Sequence, residues 1–189
     1  MDKKFVLTIG HSNLAMGKFL ENLDKYGVEV LVDVRSTPYS KTNPQFNREK
    51  LALELNEASI EYVFMGDSLG GRPKEGCCYV GGQASYELMM VSDVFKEGIN
   101  KLVGLVDEGG MVAMMCSEGD PIDCHRMVLI SRVLNSKDLN VFHILRGGNI
   151  EKNSEALKRL FRVEGVEYVK ENIGEAYKKR GVSVAYKKK

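Results

Sequence analysis

Apolar positions along the chain fall into short blocks that alternate between two spacings. Phe5-Val6-Leu7-Thr8-Ile9 is a near-continuous apolar run without helical spacing, the mark of a strand buried on both faces. It runs into the turn Gly10-His11-Ser12-Asn13, where Ser12 or Asn13 is placed to cap a helix. Met16, Phe19, Leu20 and Leu23 then recur at helical spacing and predict an amphipathic helix over residues 14 to 26, ended by Gly27. Val28 to Val34 reads as a second strand, so the first third of the chain is a βαβ unit, which crosses over right-handed into a parallel sheet.

The same alternation continues. Leu51, Leu55 and Ala58 mark a helix from Arg48 to Glu57 capped by Asn47, and Ile60 to Met65 is a third strand. Gly66 to Gln83 carries no period and is expected to be irregular, a lid or substrate loop with its Gly pairs as pivots. Residues 84 to 107 are helical in one or two pieces, with the stripe Phe95, Ile99, Leu102, Val103 and Val106. Met111 to Met115 is the fourth strand. After the break at Ser117-Glu118-Gly119-Asp120-Pro121 a helix places Met127, Ile130, Ser131 and Leu134 inward. Two starts compete for it: Asp120 as cap with Pro121 in first position, or Asp123 as cap. Asn140 to Leu145 is the fifth strand, and Asn153 or Ser154 caps a last helix bearing Leu157, Leu160 and Phe161. Beyond Glu164 the pattern fades.

The fold class that follows is α/β: a three-layer, mostly parallel sheet of about five strands with helices on both faces, Rossmann-like but without a dinucleotide fingerprint. With 189 residues, 43% hydrophobic and 28% charged, the chain is expected to be one domain over residues 1–189 with a lysine-rich basic tail at 177–189. A net charge of +1 gives no general drive toward nucleic acid or membrane. No run of 18 apolar residues is present, and the N-terminus is too short for a signal peptide, so a cytoplasmic location is expected. The four cysteines are then expected to be thiols; their spacing has no C-x-x-C, which argues against a zinc ribbon.

The polar clusters share one placement. Gly10-His11-Ser12, Asp33-Val34-Arg35, Gly70-Gly71-Arg72 and Cys116-Ser117-Glu118 each follow a predicted strand, so a parallel sheet would gather them along its carboxyl edge. Ser12, Asp33, Arg35, Arg72 and Arg126 are the candidate ligand-binding set. The arginines offer planar donor forks to phosphate or carboxylate, or else pair with Asp33, Glu118 and Asp120 as structural ion pairs. Glu118, His11, His125 and Cys124 are the candidate catalytic set. Glu118 sits past a strand end as the best acid or base, with His11 and His125 nearby. Cys124 beside His125 and Arg126 at a helix start suits a stabilised thiolate, yet it also lies on the apolar line of that helix as a small core residue. Cys116, Cys124, His125 and His11 are types that zinc or iron takes, but nothing in their spacing demands an ion, and no metal ligands are assigned. His143, inside a strand, reads as a core histidine. P-loop and Gly-x-Gly-x-x-Gly motifs are absent, and no Arg stands six positions after Cys116 or Cys124.

Thr8-Ile9-Gly10-His11-Ser12, Val32-Asp33-Val34-Arg35-Ser36-x-Pro38, Leu69-Gly70-Gly71-Arg72, Met115-Cys116-x-Glu118 and Cys124-His125-Arg126 together resemble the family called domain of unknown function 488, over residues 5 to 150. The resemblance implies a single cytosolic α/β domain and carries no settled activity. The residues point to an enzyme-like domain that binds a phosphate-bearing or other anionic ligand, a nucleotide or a nucleic-acid end. The rival readings are a non-catalytic nucleic-acid-binding module and a Cys/His metal or thiol site. Cofactor and oligomeric state stay unknown.

Overall fold

All five buried apolar runs become strands. The computed structural model describes residues 4–188, so Met1–Lys3, with the N-terminal stretch weighed as a leader, and Lys189 lie outside it. The strands are β1 (Phe5–Gly10), β2 (Val30–Asp33), β3 (Glu61–Phe64), the short pair β4 (Tyr79–Val80) and β5 (Gln83–Ala84), β6 (Val112–Cys116), β7 (Asn140–Ile144) and β8 (Ile150–Lys152). Six of them form one sheet in the order β3-β2-β6-β1-β7-β8. The first five in that order are parallel, and β8 returns antiparallel beside β7.

Side chains alternate across the sheet, as the period of a strand requires. Leu7 and Ile9 of β1, Ala113 and Met115 of β6 and Leu31 of β2 share one apolar cluster with Phe19, Leu23, Leu51 and Leu55. Those four belong to α1 (Met16–Asp24) and α2 (Arg48–Glu57), which cover that face. Val6, Val32, Val112, Met114 and Cys116 point the other way. There they meet the remaining helices: the short α3 (Gly66–Leu69), α4 (Tyr86–Val91), α5 (Asp93–Asp107), α6 (Arg132–Ser136) with the π-helical turn Arg126–Ser131 before it, α7 (Asn153–Glu164) and α8 (Ile173–Val184). This is the three-layer α/β architecture.

Connections leaving β1 and β2 run to helices on one face, while the connection leaving β6, which lies between them, runs to the other. A crevice therefore opens at the carboxyl end of β6 on both of its sides, the place where open α/β sheets hold ligands.

Several local expectations are corrected. Residues 66–83 are not irregular: they hold α3, a 3-10 turn at Gly76–Cys78 and the β4–β5 hairpin. That hairpin turns on Gly81 (φ 56°) and Gly82 (φ 79°), the two-residue turn that needs positive φ at both positions. Gly70 and Gly71 are not pivots. A Cβ on Gly70 would run into Ser36 and the Gly66 carbonyl, and Gly71 packs on the His125 ring, so both serve close approach. Ser12 and Asn13 do not cap α1, whose cap position is Ala15; Ser12 instead turns the chain at φ 45°. Asn47 precedes α2, but its Oδ1 accepts from the Ser40 N–H at 2.7 Å rather than from the helix. Asp120 does cap the turn that Pro121 opens, accepting from the Ile122 N–H at 3.1 Å.

The expected basic tail is not free. Residues 173–184 are α8, with Ala176, Tyr177 and Gly181 buried. Beyond it the Tyr186 carbonyl accepts from the Ala84 N–H at 2.8 Å, and Lys188 lies 3.8 Å over the Tyr79 ring.

Candidate active site

The end of β6 delivers Cys116, and the loop after it folds back so that Glu118 returns over the same thiol. Arg126, fully buried, fixes that loop: its guanidinium donates to the Glu118 carbonyl (2.5 Å) and the Gly119 carbonyl (2.9 Å). On the other side Ser12 N–H donates to the Ser117 carbonyl (2.8 Å) and His11 N–H to the Cys116 carbonyl (2.9 Å), extending the β1–β6 pairing beyond the strands. Cys124 and His125 then enter from the start of the π-helical segment.

The result is a tight group of four. Glu118 Oε2 accepts from Cys116 Sγ at 2.9 Å and from Cys124 Sγ at 3.0 Å. His125 Nδ1 lies 3.6 Å from Cys116 Sγ and 3.8 Å from Cys124 Sγ. All four ligand atoms fall within 4.8 Å of one another. The other ring nitrogen, His125 Nε2, donates to the Val34 carbonyl at 2.9 Å, because a carbonyl can only accept. The two thiols are buried; the Glu118 side chain keeps one side open to solvent.

Burial alone would raise both thiols. For Cys116 burial and the neighbouring Cys124 do raise it well above the ordinary thiol range. For Cys124 burial is outweighed by the hydrogen bond from Cys116 and by the positive charge of Arg126 and His125, which carry it well below that range. Cys116 thus holds its proton more firmly than Cys124 does. Glu118 is raised by burial and by Cys124. His125 is lowered by burial but raised on balance by Cys124 and Glu118.

A second network lies behind the first. Asp33 and Arg35 form a buried bidentate pair, Nε to Oδ1 at 2.9 Å and Nη2 to Oδ2 at 2.7 Å. Asp33 also accepts from the Tyr62 hydroxyl at 2.8 Å, and Arg35 donates to the Phe46 carbonyl at 2.9 Å. Arg35 Nη1 approaches His11 Nε2 at 3.2 Å. Since a guanidinium only donates, that nitrogen accepts and His11 Nδ1–H donates to the Ser12 carbonyl at 2.9 Å. Burial lowers the His11 pKa to about 4, and its ring stacks on Phe46 at 4.3 Å.

Above the four-residue group opens a cleft of about 340 Å³. Cys116, Glu118 and His125 line its floor; Arg35, Ser36, Thr37 and Ser40 form one wall, and Arg72, Tyr86 and Tyr186 another. Arg72 is exposed, stacks on Tyr186 at 4.6 Å and, among the described residues, joins no ion pair. Its backbone N–H donates to Ser36 Oγ at 2.9 Å.

Of the residues proposed from sequence, Arg35, Arg72, Glu118 and His125 therefore meet at the cleft. His11, Ser12, Asp33, Cys124 and Arg126 stand behind it, where His11, Asp33 and Arg126 support its walls. Cys116, expected as part of a metal or thiol site but outside the catalytic and ligand-binding sets, is the thiol on the cleft surface; its place at the end of a buried strand, two residues before Glu118, was the available signal. Tyr186 had no signal, since only tertiary docking brings residue 186 to residue 72. His143 is the core residue expected, held between Thr8 Oγ1 (2.8 Å) and Asn153 Oδ1 (3.0 Å).

The family described as Domain of unknown function DUF488 matches residues 15–133, more than half of the chain. The protein belongs to that family. The DUF488 match ends before β7, so β7, β8, α7 and α8 lie beyond the matched part. No curated protein matches. A solved structure from Shewanella putrefaciens CN-32, described as "Putative phosphatase (DUF442)", aligns over 98% of this chain and 93% of its own at 10% identity with a TM-score of 0.44. A likeness at that level carries nothing about function. Among the described residues no helix is long and apolar enough to cross a membrane.

Proposed function

We propose that this DUF488 protein is an enzyme whose cleft takes a phosphate-bearing or other anionic ligand, with Arg72 holding the anion and Glu118 transferring protons. The observation that carries this reading is the pairing, across one cleft of about 340 Å³, of a guanidinium and a carboxylate that, among the described residues, each join no ion pair. A planar fork at the rim suits a tetrahedral anion, and hydroxyls of Ser36, Thr37 and Ser40 supply further donors. Arg35 adds positive charge to the wall while its donors hold Asp33, His11 and the Phe46 carbonyl, and Arg126 acts through the loop it fixes. His11 and Cys124 hold the floor in shape rather than meeting the ligand.

Calorimetric titration with inorganic phosphate, pyrophosphate and nucleoside monophosphates tests this. Arg72→Ala is expected to weaken binding about 10-fold or more, the value of a charge-assisted fork. Glu118→Gln is expected to leave binding within about 3-fold and to abolish turnover of any ester the wild type processes. Absence of affinity for every probe, or an unchanged Arg72→Ala, defeats the reading. A nucleic-acid-binding module has one observation of its own: Arg72 and Lys188 lie over the rings of Tyr186 and Tyr79 beside the cleft. It predicts an affinity for single strands that falls steeply with salt.

A further inference from the structure

We infer that Cys116, Cys124 and His125 bind one thiophilic divalent metal ion, zinc by ligand chemistry, at the floor of the cleft, with Glu118 on its cleft side. The inference adds a cofactor to the cleft read above as the ligand site. It stands on the donor geometry and holds whatever ligand the cleft takes.

Distances come first. Zinc bound tetrahedrally at ~2.3 Å to sulfur and ~2.0–2.1 Å to nitrogen sets S and N donors about 3.6 Å apart. His125 Nδ1 lies 3.6 and 3.8 Å from the two sulfurs, at that spacing. Both thiols also approach one carboxylate oxygen, at 2.9 and 3.0 Å, so the two sulfurs, that oxygen and the imidazole nitrogen crowd one centre. Those two contacts are shorter than the roughly 3.6 Å expected between S and O ligands of one zinc. An ion that displaces the thiol protons to solvent pushes the oxygen outward, and Glu118 is exposed on that side and free to follow.

The imidazole is set for a metal. Its Nε2–H is committed to the Val34 carbonyl at 2.9 Å, so in the neutral ring Nδ1 carries the lone pair that faces the sulfurs. A backbone carbonyl or carboxylate on the far nitrogen is the usual partner of a metal-ligating histidine. Around the donors, Arg126 N–H donates to Cys124 Sγ at 3.4 Å, and the Arg126 side chain pins the Glu118 loop.

Charge gives a separate argument. Arg126 is fully buried, meets only carbonyls, has its Nε without a partner and, among the described residues, joins no ion pair. Among the described residues, the Glu118 carboxylate accepts only from the two thiols. A buried cation without a counter-charge is costly. Zinc with two thiolates and one carboxylate carries one net negative charge, which sits against Arg126 and resolves both anomalies at once. A pair of apolar core cysteines would need neither the carboxylate nor the imidazole beside it.

Elemental analysis of untagged protein prepared without chelator is expected to give one equivalent of zinc per chain. Cobalt(II) added to the chelator-treated protein is expected to give a sulfur-to-cobalt charge-transfer band in the near ultraviolet and the strong visible bands of a tetrahedral ion. Cys116→Ser, Cys124→Ser and His125→Ala are each expected to weaken cobalt binding more than about 100-fold, beyond the range of an outer partner. Glu118→Gln keeps the charge-transfer band and shifts the visible ones; Arg72→Ala changes neither. Where a ligand variant does not fold, the wild type still decides, since bound metal should shield both thiols from alkylation until chelator is added. A folded protein that binds no cobalt through sulfur, or a Cys116–Cys124 disulfide in protein handled under nitrogen, overturns the inference. Metal bound with no affinity for phosphate probes overturns the ligand reading alone; phosphate affinity in a protein that takes no metal overturns this one alone.

Discussion

Three arginines that read alike in sequence occupy three different situations. Arg72 is exposed at the rim, Arg35 is locked on Asp33, and Arg126 is buried on loop carbonyls. Nothing local distinguishes them, because burial of a long side chain depends on which loops pack over it. Breaking the Asp33–Arg35 pair leaves an uncompensated buried charge, so Asp33→Ala is expected to destabilise by about 3–5 kcal/mol in urea unfolding. The Asp33→Ala, Arg35→Met double variant should recover much of that loss. Gly10 was visible as a turn residue, but its stricter role is contact: a Cβ there would strike the Glu118 carbonyl and press on Arg126. Gly10→Ala is expected to cost about 1–3 kcal/mol and to loosen metal binding, read by the same cobalt titration.

At the scale of elements, strands and long helices were legible because their apolar periods are local. The hairpin β4–β5 was missed although Gly81-Gly82 is a turn signal; its strands are two residues each and show no alternation. The π-helical turn was equally hidden. It carries Arg126, whose carbonyl accepts from Ser131 Oγ at 2.6 Å, and all six of its residues are buried. On β7, burial and the nearby Arg126 lower the His143 pKa to about 3, against 6.5 for an ordinary histidine. The unfolded chain therefore binds this proton at a higher pH than the folded one does. The stability linked to His143 is complete above pH 6.5 and is lost as pH falls toward 3. Between pH 7 and 5 the loss from this residue is on the order of 2 kcal/mol, so His143→Gln should flatten that part of the urea-midpoint profile. The His143 ring proton resonance should not titrate between pH 5 and 8; a midpoint near 6.5 would contradict the geometry.

At the scale of the molecule, the segment beyond the family match completes the fold. α8 brings Tyr177 into the core and lays Gly181 against the Tyr86 ring, while Val184 and Tyr186 close one wall of the cleft. A chain ended at Gly165 is expected to lose at least about 2–3 kcal/mol, the burial of Tyr177 alone, and to show a lower thermal midpoint. A chain ended at Val184 should keep most of its stability and lose the Tyr186 support of Arg72, seen as weaker phosphate binding with unchanged metal content. Metal removal from the full chain should lower the thermal midpoint, by an amount that grows with the logarithm of free metal concentration.

By itself the sequence determined the class of fold and the five central strands, since buried runs, helical stripes and turn residues act within a few positions of each other. It also determined which polar clusters leave the carboxyl ends of those strands. Only the tertiary structure decided the strand order, and that order makes the site. With β6 between β1 and β2, and its connection passing to the opposite face, Cys116, Glu118 and the returning Cys124-His125 close on one point beside Val34. Spacing along the chain could not show this, because four atoms within 4.8 Å come from a loop, a strand end and a helix start whose meeting depends on long-range pairing.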